Sequence, residues 1–148
     1  MEARRKIIIG NWKMNGRSKD LVDIDLLFKK VPQQEIDIVI APPATLLYEL
    51  KGLNTPKNLL LSGQNCHQVE CGAYTGEISA AMLKEAGANY VILGHSERRT
   101  VYKETSTLVR LKALEAVKQG LTPIICVGEH LKSYENNQTL SVIERQLK

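Results

Sequence analysis

Lys13 stands two residues after Asn11 in the segment Asn11-Trp12-Lys13-Met14-Asn15-Gly16, just past the apolar run Ile7-Ile8-Ile9. An ammonium there is a point charge suited to a phosphate or to an oxyanion that develops during a reaction. Taken alone, the pair also reads as a surface lysine and a turn asparagine. His95 follows a second apolar run and heads His95-Ser96-Glu97-Arg98-Arg99. An imidazole at that place can polarise a carbonyl or carry a proton. A helix starting behind it favours the neutral ring, because the positive end of the helix dipole opposes a second positive charge. A histidine satisfied within the core is the competing reading. Cys126-Val127-Gly128-Glu129 brings a further carboxylate to the end of another apolar run. Between these segments lies a long loop, Cys66 to Ile78, containing Gly72-Ala73-Tyr74-Thr75-Gly76-Glu77. Loops of that length inside a compact domain are usually functional, the alternative being a flexible excursion. Glycine-rich dinucleotide and nucleotide-triphosphate motifs are absent after the first run, so those chemistries are not indicated. Cys66-His67 with Cys71 lacks the Cys-x-x-Cys and second-histidine spacing of a zinc site, so no metal is expected.

The elements that must position these residues are short and regular. Apolar runs recur at Ile7 to Gly10, Ile36 to Ala41, Leu59 to Gly63, Tyr90 to Gly94 and Pro123 to Val127. Nearly continuous apolar runs are how parallel strands read when both faces are covered. Helical patterns separate them. Leu21, Ile24, Leu27, Phe28 and Val31 form one stripe, with Ser18 as its cap and Pro32 as its stop. Pro42-Pro43 open a second helix, with Leu46, Leu47 and Leu50 inward. Ser79 caps Ala80 to Ala86, and Gly87 closes it. Leu108, Leu111 and Leu114, with Ala113 and Val117 alongside, mark a longer helix running to Gly120, and a last one surrounds Leu140, Ile143 and Leu147. Such alternation means an α/β fold with right-handed crossovers. Ligands bind such folds at the C-terminal ends of the strands, where Asn11, Lys13, His95 and Glu129 all fall. About five units in one short chain suit a doubly wound, flavodoxin-like sheet, since a (β/α)8 barrel typically takes about 250 residues.

Composition narrows the class further. The chain has 148 residues, 43% hydrophobic and 24% charged, which excludes a disordered or membrane-spanning class. A formal charge of +4 is a mild excess, compatible with small anionic ligands and most simply a solvated surface. Neither a nucleic-acid partner nor a membrane is expected. The basic start, Met1 to Lys6, precedes an apolar run too short for a signal peptide. Three cysteines without secretory features point to a reducing compartment.

Four segments carry a closer likeness. Asn11-Trp12-Lys13-Met14-Asn15, Gly72-Ala73-Tyr74-Thr75-Gly76-Glu77, Ile92-Leu93-Gly94-His95-Ser96-Glu97-Arg98-Arg99 and Cys126-Val127-Gly128-Glu129 together resemble the triosephosphate isomerase family, in its order and spacing. The likeness runs over the whole chain and overrides the open-sheet reading. It implies an α/β fold of the (β/α)8 TIM-barrel family, here an incomplete barrel of about five βα units in a single partial domain. It implies interconversion of dihydroxyacetone phosphate and glyceraldehyde 3-phosphate through an enediolate, in glycolysis and gluconeogenesis. A cytoplasmic homodimer without cofactor or metal goes with it. By this resemblance Lys13 offsets the substrate's negative charge and Asn11 is the amide beside it. His95 corresponds to the family's neutral histidine, which polarises the carbonyl. Glu97 is the carboxylate placed near the lysine, and Thr75 reaches into a neighbouring subunit close to that subunit's Asn11 and Lys13. The chain departs from the family pattern at Tyr102, Tyr134 and Asn137, where phenylalanine, arginine and glycine are usual. Asn137 is expected to keep the left-handed turn that glycine makes there. The family's glutamate base, its lid and its last phosphate-gripping turns correspond to positions after Lys148. The 148-residue chain is therefore expected to lack turnover by itself. A non-catalytic remnant, or a fragment acting through protein interaction or complementation, is the alternative.

Overall fold

The computed structural model describes residues 6–28, 30, 36–53 and 56–148. Five strands form one parallel sheet: β1 (Lys6–Asn11), β2 (Ile36–Ala41), β3 (Leu59–Gly63), β4 (Tyr90–Leu93) and β5 (Thr122–Ile125). Their order in space is their order in sequence, β1-β2-β3-β4-β5. That order decides between the two architectures. A doubly wound sheet reverses direction at a switch point. A sheet that advances one way, through right-handed crossovers, keeps its helices on one face and curls toward a barrel. The fold is thus an incomplete barrel of about five βα units.

The helices are α1 (Leu21–Phe28), α2 (Ala44–Lys51), α3 (Ala80–Glu85), α4 (Ser96–Val101), α5 (Ser106–Lys118), α6 (Leu131–Glu135) and α7 (Thr139–Leu147). Leu21 and Ile24 of α1, Leu46, Leu47 and Leu50 of α2, Leu83 of α3 and Val109 and Ala116 of α5 pack with Ile40, Leu61, Val91 and Leu93 in one continuous core. The caps follow local chemistry. Ser79 accepts the Met82 N–H at 3.2 Å and starts α3, and Thr105 accepts the Leu108 N–H at 3.1 Å and starts α5. Asn137 takes the left-handed conformation, φ 56°, between α6 and α7. None of the helices is long and apolar enough to cross a membrane among the described residues.

One sequence expectation needs correcting, and one helix face needs adding. Ser18 does not cap α1. It lies in a 3-10 turn, its hydroxyl donates to Glu49 at 2.8 Å, and the helix begins at Leu21. On α5 the buried residues are Val109, Lys112 and Ala116, while Leu111, Leu114 and Val117 face outward. Both stripes have helical spacing; Lys112 can occupy the inner one because Glu104 and Asn65 receive its ammonium there. The expected roles of Val31 and Pro32 fall outside the described residues, as do the side chains of Leu27 and Phe28.

Among the described residues no further strand pairs with β1 or β5, the two ends of the sheet. Val39, Val91 and Leu93 in the inner strands are wholly buried, whereas Ile7, Ile8 and Ile9 of β1 and Ile125 of β5 are exposed. Along β5 the Thr122 and Cys126 N–H groups donate to β4-side carbonyls of Asn89 and Leu93. Alternation then turns Pro123 and Ile125 toward the open edge.

Candidate functional site

β1 and β4 deliver the two chemical groups to one end of the sheet. Beyond β1 the chain turns through Lys13, a non-glycine residue at φ 55°. Asn11 Oδ1 accepts the Lys13 N–H at 2.9 Å. From the end of β3, Gln64 Nε2 donates to the Lys13 carbonyl and to the Ala41 carbonyl, both at 2.8 Å. Gly16 follows at φ 105°, and a Cβ there would meet the Trp12 ring at 2.7 Å, so the turn needs glycine on two counts.

His95 sits at the start of α4. The Glu97 N–H points at its Nδ1 at 3.3 Å, which makes that nitrogen an acceptor. In the neutral ring the proton is then on Nε2. Glu97 Oε2 also comes within 3.4 Å of Nδ1, but a nitrogen that accepts a backbone N–H carries no proton to share, so this approach is not an ion pair. The other carboxylate oxygen accepts from Lys13 Nζ at 2.7 Å. That hydrogen bond is the main reason the Glu97 carboxyl is held below the usual carboxylate range.

Asn11, Lys13, Gln64, Glu77, His95 and Glu97 line one cleft of about 330 Å³. The sequence-selected Asn11, Lys13, His95 and Glu97 therefore come together, although Lys13 and Glu97 are 84 residues apart. Thr75 does not line the cleft. It lies exposed in the loop between Cys66 and Ile78, which is pinned rather than loose. The His67 N–H donates to Ile78 O at 2.8 Å, and the His67 and Tyr74 rings approach to 4.1 Å. Glu129 is drawn into a neighbouring cleft beside Cys126 and Gln146, and accepts from Thr139 Oγ1 at 2.8 Å.

Sequence reasoning passed over two features of the support. One is Gln64. The other is a charge cluster behind α4. Glu104 Oε1 accepts from Arg98 Nε at 2.6 Å and from Lys112 Nζ at 2.5 Å, and Lys112 also donates to Asn65 Oδ1 at 2.9 Å. Glu104 and Lys112 are both buried. Burial opposes ionisation of Glu104, and the two donors outweigh it, holding its carboxyl low. Arg98, next to Glu97, thereby ties α4 through Glu104 to Lys112 of α5. Among the described residues no three histidine, cysteine or acidic side chains converge as a metal site requires.

The family model for triosephosphate isomerase matches residues 6–148. The chain belongs to the triosephosphate isomerase family. It is 48% identical over 145 residues to the triosephosphate isomerase of Alkaliphilus oremlandii (strain OhILAs), covering 97% of this chain and 58% of that protein. It is 47% identical over 146 residues to that of Bartonella quintana (strain Toulouse), with the same coverage. The crystal structure of triosephosphate isomerase from Bartonella henselae superposes with a TM-score of 0.92 at 47% identity, covering 97% of this chain and 60% of that one. This member of the triosephosphate isomerase family thus spans well under two thirds of the length of the curated relatives it matches, in agreement with five strands where a closed barrel has eight.

Proposed function

We propose that this chain carries the electrophilic half of a triosephosphate isomerase site, acting on dihydroxyacetone phosphate and glyceraldehyde 3-phosphate. Lys13 meets the phosphate dianion and the charge that develops on oxygen, with Asn11 beside it. His95 donates from Nε2 to the substrate carbonyl. A carboxylate base, supplied by the part of the family fold that these 148 residues do not span, takes a proton from the hydroxylated carbon. It returns that proton to the neighbouring carbon through an enediolate, while the hydroxyl proton passes to the former carbonyl oxygen by way of His95. Glu97 holds the ammonium in place and is not the base, because Lys13 already occupies it. The observation that carries the reading is the Lys13–Glu97–His95 constellation in one cleft, with Nδ1 blocked by a backbone N–H. No step requires a metal or cofactor. Thr75 is the proposed contact to a second subunit, and exposed Met14 and Tyr102, which share the cleft rim with Gly76, supply apolar surface for it. Residues 1–148 act as one partial domain, and the setting is cytoplasmic, as for the family.

The test is a coupled isomerase assay. The 148-residue polypeptide alone is expected to show negligible turnover. A second polypeptide carrying the C-terminal part of the Bartonella henselae enzyme should restore it. In the restored enzyme, His95→Gln lowers kcat by about 10²–10³-fold with little change in KM, because its hydrogen bond strengthens as charge develops. Lys13→Ala raises KM as well. Turnover near a typical 10 s⁻¹ by the polypeptide alone, roughly the median for enzymes, would sink the reading, as would equal effects of both substitutions.

A further inference from the structure

We infer that Gln64 is the positioning residue for Lys13: its side-chain amide clamps the Lys13 and Ala41 carbonyls and so fixes the left-handed turn that aims the ammonium at Glu97. An L residue at positive φ brings its Cβ against the following carbonyl, and such a conformation persists only where the surroundings over-determine it. Here the Trp12 N–H anchors the preceding residue to Ala41 O at 3.0 Å and Asn15 Nδ2 closes the turn on Trp12 O at 3.2 Å, but neither reaches the Lys13 carbonyl. The Asn11 bond to the Lys13 N–H is local and travels with the same turn. The Glu97 bond reaches only the tip of a side chain. Among the described residues Gln64 alone grips the Lys13 carbonyl from another strand, and with its second hydrogen it grips the end of β2 at Ala41. One amide thereby ties together the C-terminal ends of β1, β2 and β3. Its orientation is dictated by its targets. Both are carbonyl oxygens, so the nitrogen must face them, and a carboxylate of the same shape cannot replace it.

This deepens the isomerase reading and rests on it for its chemical meaning, but the geometry can be tested without turnover. The probe is the 148-residue chain with Gln64→Ala and, separately, the isosteric Gln64→Glu. In each folded variant, scalar couplings and the intraresidue amide–Hα contact should report Lys13 moving from positive to negative φ. The Glu97 titration, followed by carboxyl carbon NMR, should rise toward that of Lys13→Ala. Glu129, held by Thr139, serves as the internal control and should not move. A Lys13 that stays at positive φ with an unmoved Glu97 titration in either folded variant overturns the inference. Loss of folding in both variants also overturns it, since Gln64 would then be a general scaffold residue. A failed complementation assay with the Gln64 effects intact would reject the isomerase reading alone, so the two failures are distinguishable.

Discussion

Glu104 accepts from two cations while almost wholly removed from water. Its carboxyl is held low in the folded chain, against an ordinary glutamate value of about 4.3 when unfolded. As pH falls, the unfolded chain therefore takes up the proton first. The stability that Glu104 contributes is complete above the unfolded value and is lost as pH drops through the folded one. Urea midpoints measured from neutral pH downward should accordingly fall in the acid range, and Glu104→Gln should be less stable at neutral pH with a flatter acid profile. An acid profile unchanged by Glu104→Gln would refute the assignment. Lys112→Met removes one of the two donors and leaves a buried carboxylate under-compensated, a change expected to cost about 3–5 kcal/mol. Arg98, the residue after Glu97, shares this carboxylate with Lys112.

The loop between Cys66 and Ile78 is an element without regular structure, yet it is pinned at its base by the His67–Ile78 hydrogen bond and the His67–Tyr74 contact. A pinned base presents Thr75 in a repeatable way, as an anchor for a second subunit must be. Self-association of these 148 residues is expected to be weak, because the fold that the loop should meet is built here to only five strands. Thr75→Arg should abolish what remains, as read by sedimentation velocity; a tight dimer surviving the substitution would exclude the loop as anchor. The elements also divide by how far sequence reaches. β2 and β3 follow their apolar runs residue for residue, because Val39 to Ala41 and most of β3 are buried on both faces and leave a near-continuous signature. The inward face of α5 was not legible, since two stripes share the helical period and the choice rests on Glu104 and Asn65, which lie outside the helix. Asn11, Lys13 and His95 were legible as polar residues at strand ends. Gln64 was not, because its partners are backbone carbonyls, and no side-chain pattern encodes a carbonyl brought from another strand.

At the scale of the whole molecule the chain forms a sheet that curls without closing. Counting units against chain length favours an open doubly wound sheet; the four family-like segments argue against it in the sequence, and the spatial order of strands, a non-local property, excludes it in the structure. Closure would remove both edges; here β1 and β5 remain at the ends. Hydrogen exchange should find the β1 and β5 amides less protected than those of β3, which is paired on both sides. Uniform strong protection across all five strands of a monomer would mean that the edges are covered.

The two edges are not equivalent, and Pro123 is the reason. It points toward the open side of β5 and has no N–H, so a foreign strand arriving there would find Ile125 as the outward donor of β5 and a gap in the ladder beside it. β1 has no such interruption. The Trp12 N–H turns toward β2, and alternation leaves Ile7 and Ile9 with their amides facing out beside exposed isoleucine side chains. Uncontrolled strand addition, the first step of aggregation, therefore has a preferred doorway at Lys6–Asn11, while the opposite door is half shut.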